Sequence, residues 1–297
     1  MSREEITYEQ VIGKLEEKLP SLPQILDELI KALGNFDVTL DLIQEMIEID
    51  QSISLEILKV VNKVEFLEPE ESRITSIHDA MHKLGFENVQ KIILNVSALP
   101  IFTDTTFPAF FKVESLWKHS VGVAFGCTVI SDLIDYENSD KAYACGLMHD
   151  IGKVAKIKFD QRNFGRELLS AKRKEMSIHE MEVARNLLQH ETLGSMIAEK
   201  WEMPEELTQS IRWHHTEERE KRIGLEDPDI HFLVDMVFLS NCLINKMQFG
   251  NSGHEFHSTP SPKLLRRLGL KDIGLAELEE QVRLLLEEKF SFLVLLK

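Results

Sequence analysis

The residues best suited to chemistry lie in the segment 144–153, which reads ACGLMHDIGK. Read as a helix, it places His149 four residues and Asp150 three residues before Lys153, so the three polar side chains would share one face. A carboxylate beside a neutral imidazole can ligate one or two divalent metal ions, with the carboxylate bridging them. A polar helix end without any ligand is the alternative, because a His-Asp dipeptide alone is weak evidence.

Further histidines favour the metal hypothesis. Each lies in a segment of helical periodicity, with apolar neighbours that would turn it inward: His119, His190, His214 and His215. A single inward histidine is usually satisfied by a hydrogen bond in the core. Several inward histidines and an aspartate on consecutive helices are hard to satisfy by hydrogen bonds alone. A shared metal ion would remove that difficulty.

The order of these motifs resembles the HD phosphohydrolase superfamily and, more specifically, the HDOD domain, a bacterial signalling relative. The motifs that carry the resemblance are His119, HDIGK at 149–153, HExxG at 190–194, WxxP at 201–204 and the His214–His215 pair. Upstream, LPSLP at 19–23 is similar to the opening of HDOD domains, and segments 49–62 and 77–85 are similar to later HDOD motifs. The resemblance covers residues 17–250.

The resemblance implies roles for individual residues. In the superfamily, the matching positions ligate one or two divalent ions, and here they are His119, His149, Asp150, His190, His214 and His215. Asp150 would bridge the ions. Lys153 matches a catalytic lysine of the related HD-GYP phosphodiesterases and in that role would stabilise developing phosphate charge. If the protein is an active enzyme, Lys153 and Asp150 would be its catalytic residues.

The sequence departs from the superfamily pattern at two places. Asn241 stands where the superfamily supplies a last aspartate ligand, and its neutral amide oxygen is a poorer ligand for a hard cation. Asp235 lies six residues earlier, about 120° around a helix, and would replace it only under a shifted alignment. Residues 216–220 lack the Gly-Tyr-Pro segment with which HD-GYP enzymes engage cyclic di-GMP, which argues against a cyclic-dinucleotide phosphodiesterase.

Three functions remain open, and the first is favoured. The protein would be a signalling or regulatory module that binds one or two divalent transition metal ions with little or no catalysis. A histidine-rich ligand set with one carboxylate favours iron, manganese, zinc or nickel over magnesium or calcium. Iron is favoured among these four, because bridged metal pairs with nitrogen and oxygen ligands suit it. The second function is a metal-dependent phosphohydrolase or phosphodiesterase acting on a nucleotide or other phosphoester ligand. The third is a metal-free scaffold for protein interactions.

Composition narrows the partners and the compartment. A net charge of −16 argues against a nucleic-acid surface and against an anionic membrane face. The resemblance to HDOD domains implies protein partners in a signalling pathway. The three cysteines show no CxxC pairing, there is no signal peptide, and no apolar run approaches the roughly 20 residues of a spanning helix. These features predict a cytoplasmic protein.

The apolar run 290–296 suggests a homodimer through the C-terminal helix.

Apolar residues recur at helical spacing along the chain, without sustained period-two alternation. The sequence therefore predicts an all-α bundle of many helices in two packed halves, with no significant sheet. We expect an N-terminal half at residues 1–106, a metal-site half at 107–255 and a C-terminal helical extension at 256–297. Within the first half, the helix that begins near Val89 is predicted to end at Pro100.

Overall fold

In the computed structural model, every regular element of the described residues is a helix, which confirms the all-α prediction. The structure describes residues 7–15, single positions between 44 and 62, and residues 74–103, 108, 110–254 and 258–293. The motif at 19–23, most of segment 49–62, most of the predicted helices at 25–47 and the chain end at 294–297 lie outside the described residues.

The helices are numbered in the order in which the described residues form them. They are α1 (Tyr8–Leu15), α2 (Ile77–Leu84), α3 (Phe86–Thr103), α4 (Val113–Leu133), α5 (Ser139–Met148), α6 (Ile151–Lys174), α7 (Ile178–Ala184), α8 (His190–Lys200), α9 (Glu205–Trp213), α10 (Pro228–Lys246), α11 (Pro262–Arg267) and α12 (Leu275–Leu293). A short 3₁₀ helix spans Arg219–Lys221. None of the described helices combines the length and apolar character needed to cross a membrane.

The chain divides into two compact units. The first comprises Met1–Ser21 and Ile101–Val282, and the second comprises Leu22–Pro100 and Arg283–Lys297. All the histidines with predicted metal-binding roles belong to the first unit. The predicted boundaries at residues 106 and 255 stay predictions.

The described part of the second unit shows how local sequence starts and stops helices. The Ser76 hydroxyl caps α2 by accepting a hydrogen bond from the backbone N–H of Asp79, and Gly85 ends the helix at a φ of 78°. The prediction that Pro100 ends the next helix was wrong, because α3 continues to Thr103. Proline has no N–H to donate to the preceding turn, but the remaining backbone bonds can carry the helix past it.

In the first unit, α4 packs against α5 and α10, and α8 packs against α6 and α9. Two glycines bring the backbones close together. A Cβ atom on Gly146 would lie 2.8 Å from the Cα of Ala124, and one on Gly152 would lie 1.8 Å from the carbonyl oxygen of His190. Because no side chain fits at either position, the segment that carries His149 and Asp150 lies directly against α4 and the start of α8.

The predicted single helix through segment 144–153 is interrupted. Helix α5 ends at Met148 and α6 begins at Ile151, with Asp150 at φ −99° and ψ 12° between them. This break lets the two adjacent side chains leave the helical spacing and project into the space between neighbouring helices. Asp150 and Lys153 are nevertheless in contact.

Candidate metal centre

The histidines and the aspartate predicted to bind metal come from four places in the first unit. His119 lies within α4, His149 and Asp150 lie in the turn between α5 and α6, His190 is the first residue of α8, and the His214–His215 pair follows α9. All of these side chains except His215 are at most 1% exposed, and His215 is partly buried. Helix ends and one helix interior therefore bring imidazoles from separate elements to one buried point.

Asp150 lies at the centre of this cluster. Its Oδ2 atom is 3.3 Å from Nε2 of His149 and 3.8 Å from Nε2 of His119. Its Oδ1 atom is 3.5 Å from Nε2 of His190 and also 3.5 Å from Nε2 of His214. The two carboxylate oxygens thus face two different pairs of histidines.

His215 completes the second of these groups, because its Nε2 atom is 3.0 Å from Nε2 of His190. The ligand atoms of Asp150, His190, His214 and His215 all lie within 4.8 Å of one another, and the same holds for His119, His149 and Asp150. Asp150 is common to both groups. A carboxylate shared in this way is the arrangement that bridges two metal ions.

Several polar atoms at the centre are buried without a partner. Among the described residues, no hydrogen bond reaches Nε2 of His119, Nε2 of His149 or Oδ1 of Asp150. Leaving buried polar atoms unsatisfied costs about 1–3 kcal/mol each in typical proteins. Divalent cations between the imidazoles and the carboxylate would satisfy these atoms, so the residues present fit one or two metal ions.

Backbone carbonyls orient two of the imidazoles. Nδ1 of His149 lies 2.7 Å from the carbonyl oxygen of Gly146, and Nδ1 of His214 lies 2.7 Å from that of Ile211. A carbonyl oxygen only accepts hydrogen bonds, so the proton is on Nδ1 in both rings. The lone pair of each Nε2 atom then points toward Asp150, as metal ligation requires.

The protonation states also suit a metal ion. Burial, followed by the neighbouring His149, holds the pKa of His119 well below its usual value, and burial lowers the pKa of His214 to about 4. Burial alone would raise the pKa of Asp150, but His149 and Lys153 hold it well below its usual range. Near neutral pH His119 and His214 are therefore neutral and Asp150 is ionised, which are the forms that bind metal. His190 differs, because burial alone would lower its pKa but the neighbouring Glu182 raises it.

Glu182 on α7 is a supporting residue that the sequence analysis missed. Its Oε2 atom accepts hydrogen bonds from Nδ1 of His190 at 2.7 Å and from the backbone N–H of His190 at 3.1 Å. Burial would raise the pKa of Glu182, but His190 and Lys156 lower it to about 2. A charged Glu182 holds the proton of His190 on Nδ1 and leaves Nε2 for a metal. In the sequence, its place beside the apolar Met181 signalled burial only weakly.

The side chains of Lys153 and Asn241 each form a hydrogen bond with another side chain. The Lys153 amine donates a hydrogen bond to Oδ2 of Asp150 at 2.7 Å, and the residue is 1% exposed. Asn241 is buried on α10, where its Oδ1 atom accepts a hydrogen bond from Nδ2 of Asn245 at 2.7 Å. The assignment of Lys153 as catalytic and of Asn241 as a ligand stays a prediction.

Asp235 lies in a different cluster and is not a substitute for the missing ligand. Both of its oxygens accept hydrogen bonds, at 2.6–3.1 Å, from Arg219, Arg222 and Arg267. With guanidinium groups on both oxygens, this carboxylate is already neutralised by the protein.

Comparison with known proteins supports the resemblance found in the sequence. A model of the HDOD domain family matches residues 19–217, which is more than half of the 297 residues. The chain belongs to the HDOD domain family. This confirms the resemblance inferred from the motifs around His149 and Asp150.

Several proteins are similar to this HDOD protein. An uncharacterized protein of Treponema pallidum (strain Nichols) is 25% identical over 199 residues, which are 66% of this chain and 37% of that protein. The chain thus spans little more than a third of that relative's length.

Solved structures share the fold. A crystal structure of an HDOD domain protein of unknown function from Geobacter sulfurreducens has a TM-score of 0.73 at 21% identity, covering 96% of this chain and 94% of that one. A Marinobacter aquaeolei VT8 protein named "Putative signal transduction protein" has a TM-score of 0.74 at 18% identity, covering 100% and 61%. A Shewanella amazonensis SB2B protein named "Putative phosphohydrolase" has a TM-score of 0.68 at 17% identity, covering 97% and 98%.

Proposed function

We propose that this HDOD protein is a signalling module that binds one or two divalent transition metal ions around Asp150 and has little or no hydrolytic activity. The observation that carries the proposal is the division of the Asp150 oxygens between two groups of imidazoles. The buried, unpartnered nitrogens of His119 and His149 support it, because they lack a partner within the described part of the chain.

The ligand set supports transition metals. Imidazole nitrogens outnumber carboxylate oxygens around Asp150, a composition that suits iron, manganese, zinc or nickel better than magnesium or calcium. Among these four metals, we propose iron first. Bound in this position, such ions would polarise a phosphoryl oxygen and activate water.

Two features support weak or absent catalysis. Asn241 stands in place of the last carboxylate of the HD pattern and is hydrogen-bonded to Asn245. Lys153 is 1% exposed and forms an ion pair with Asp150. Its positive charge therefore stabilises the buried carboxylate and is less available to a substrate phosphate. Both features weaken the hydrolase chemistry while leaving the histidines in place.

We propose that the module acts through protein partners in the cytoplasm. The signalling role accords with the HDOD family and with the name of the Marinobacter neighbour. The three cysteines, Cys127, Cys145 and Cys242, are free and buried, which suits a reducing compartment. Dimerisation through the C-terminal helix is part of the proposal, and light scattering that gave a monomer would refute it.

An active phosphohydrolase is the second candidate. The carboxylate shared by two ligand groups is the arrangement used by two-metal hydrolases, and the Shewanella neighbour bears a phosphohydrolase name. A metal-free scaffold is a third candidate, but the buried atoms without hydrogen bonds count against it.

The metal content of protein purified without a chelating tag tests the proposal. We expect emission spectroscopy to find about one or two transition metal ions per chain that the Asp150→Ala variant lacks, the number that a bridged site holds. Turnover of bis(p-nitrophenyl) phosphate should not exceed that of the Asp150→Ala variant. Robust turnover that Asp150→Ala abolishes would favour the hydrolase, and a protein that takes up no metal after reconstitution would favour the scaffold.

A further inference from the structure

Apart from the two ligand groups that share Asp150, a further group of potential ligands lies beside that centre. It comprises His179 on α7, Glu191 on α8 and His215 after α9, and one ligand atom from each lies within 4.8 Å of the other two. Nδ1 of His179 is 3.2 Å from Oε2 of Glu191. The rings of His179 and His215 stack with their centroids 4.5 Å apart at an interplanar angle of 21°.

The polar atoms of this group are not satisfied by the protein. Within the described part of the chain, neither Nδ1 of His179 nor Oε2 of Glu191 has a hydrogen-bond partner, and both atoms are buried. The Glu191 side chain is only 8% exposed. A buried carboxylate oxygen without a donor is costly, so an additional cation would stabilise this arrangement.

His215 can serve this group as well as the Asp150 centre. Hydrogen bonds to Gly146, Glu182 and Ile211 hold the Nδ1 atoms of His149, His190 and His214, respectively. The described hydrogen bonds include none to Nδ1 of His215, while its Nε2 atom faces His190. The His215 ring therefore offers a nitrogen that no protein group occupies in the described residues.

We propose that His179, Glu191 and His215 bind a further divalent transition metal ion, such as zinc or ferrous iron. Two imidazole nitrogens and one carboxylate oxygen are a common ligand set for both metals, and they leave coordination positions for water. This outer site shares only His215 with the Asp150 centre. Its existence does not depend on whether the Asp150 centre holds metal or catalyses a reaction.

The outer ion should also be the more exchangeable one. The His179 side chain is 23% exposed, whereas Asp150 and its neighbouring His149 are fully buried. A chelator in solution therefore reaches the outer site first. Under mild chelation we expect one ion per chain to leave in a faster phase than the rest.

The test is a zinc titration of the full chain after metal removal, followed by desalting and emission spectroscopy. We expect His179→Ala and Glu191→Gln each to retain one zinc ion fewer per chain than the wild type. Glu199→Gln is the matched control, because Glu199 lies on the same helix as Glu191 but is exposed. It should retain as much zinc as the wild type, and circular dichroism should show all three variants folded.

Wild-type zinc content in both His179→Ala and Glu191→Gln would overturn the proposal and leave His179 and Glu191 as an ion-free contact. The Asp150→Ala variant separates this result from failure of the Asp150 centre. It should lose the central zinc and keep the outer ion, together with its fast chelation phase. If Asp150→Ala instead retained all its zinc while His179→Ala lost one ion, the outer site would stand and the central site would fall.

Discussion

Asp150 and Asp235 are both fully buried carboxylates of the first unit, but the side chains around them differ in how much positive charge they carry. Asp235 is bound by the guanidinium groups of Arg219, Arg222 and Arg267. Asp150 contacts one cation, Lys153, and otherwise faces histidine nitrogens. Arginine brings its own positive charge, whereas a neutral imidazole brings a lone pair.

This difference separates a carboxylate that the protein itself neutralises from one that, in our proposal, binds metal ions. The Asp235 cluster is complete without any ligand, and it tethers the segment that follows the His214–His215 pair. Within that cluster, Arg222 donates to the carbonyl oxygen of Thr216 at 3.0 Å, and Arg267 donates to that of Glu217 at 2.8 Å. The Asp150 cluster retains unpartnered atoms that a metal ion would satisfy.

The largest expected effect is on metal content. Asp150→Ala and His149→Ala should each remove metal from the central site. The reason is that Asp150 is a member of both ligand groups and His149 is a member of one. Both variants should also melt at a lower temperature than the metal-loaded wild type. His78→Ala, at an exposed position of the second unit, is the control and should keep its metal. Equal metal content in all three variants would refute the site.

The second effect is on stability and should be independent of metal. Asp235→Asn leaves the buried Arg222 without its carboxylate, and losing one partner of a buried ion pair costs about 3–5 kcal/mol. Denaturant unfolding should show this loss equally with and without a chelator. Asp229→Asn, at an exposed position on the same helix, should cost less than about 1 kcal/mol. A chelator-dependent loss in Asp235→Asn would erase the distinction between the two carboxylates.

A third, smaller effect concerns the support of His190. Glu182→Gln removes the charge that holds the proton on Nδ1 of His190, and such supporting contacts are typically worth 10–100-fold in metal affinity. Glu167→Gln is the matched control, because Glu167 and Glu182 both contact the Lys156 amine at 2.6 Å but only Glu182 reaches His190. Competition with a chromophoric chelator measures both affinities, and equal losses would refute the role of Glu182.

The smallest effect is expected at Asn241. Asn241→Asp restores a carboxylate at the position that carries the last aspartate in the HD pattern, so metal affinity should rise and phosphodiester turnover should increase above that of the wild type. Asn245→Asp, one turn further along α10, is the control. No gain in affinity from Asn241→Asp would mean that this position does not reach the metal centre.

Much of the fold and of the cluster was predictable because the signals are local. The helical period of apolar residues predicted the all-α fold, and apolar neighbours correctly indicated that His119, His149 and His190 point inward. The family was predictable because its motifs are short stretches of sequence that can be recognised without knowing the fold. Reading segment 144–153 as one continuous helix was wrong, because periodicity does not reveal a break between two helices of compatible phase.

The residues that the sequence analysis missed act across helices. Glu182 meets His190 and His179 meets Glu191 because α7 and α8 both pack against α6. Hydrophobic periodicity shows which face of a helix is buried, but it does not say which polar residue on another helix will meet that face. A single sequence therefore gave no direct sign of the outer group around His179.

The amino-acid sequence by itself determined the helical fold, the family and the histidines and aspartate that turn into the core, because these follow from local spacing and short motifs. Only the tertiary structure decided the different surroundings of the two buried aspartates. Asp235 met arginines and Asp150 met imidazoles because helix packing, including the close approach at Gly152, determines which distant side chains share a buried space.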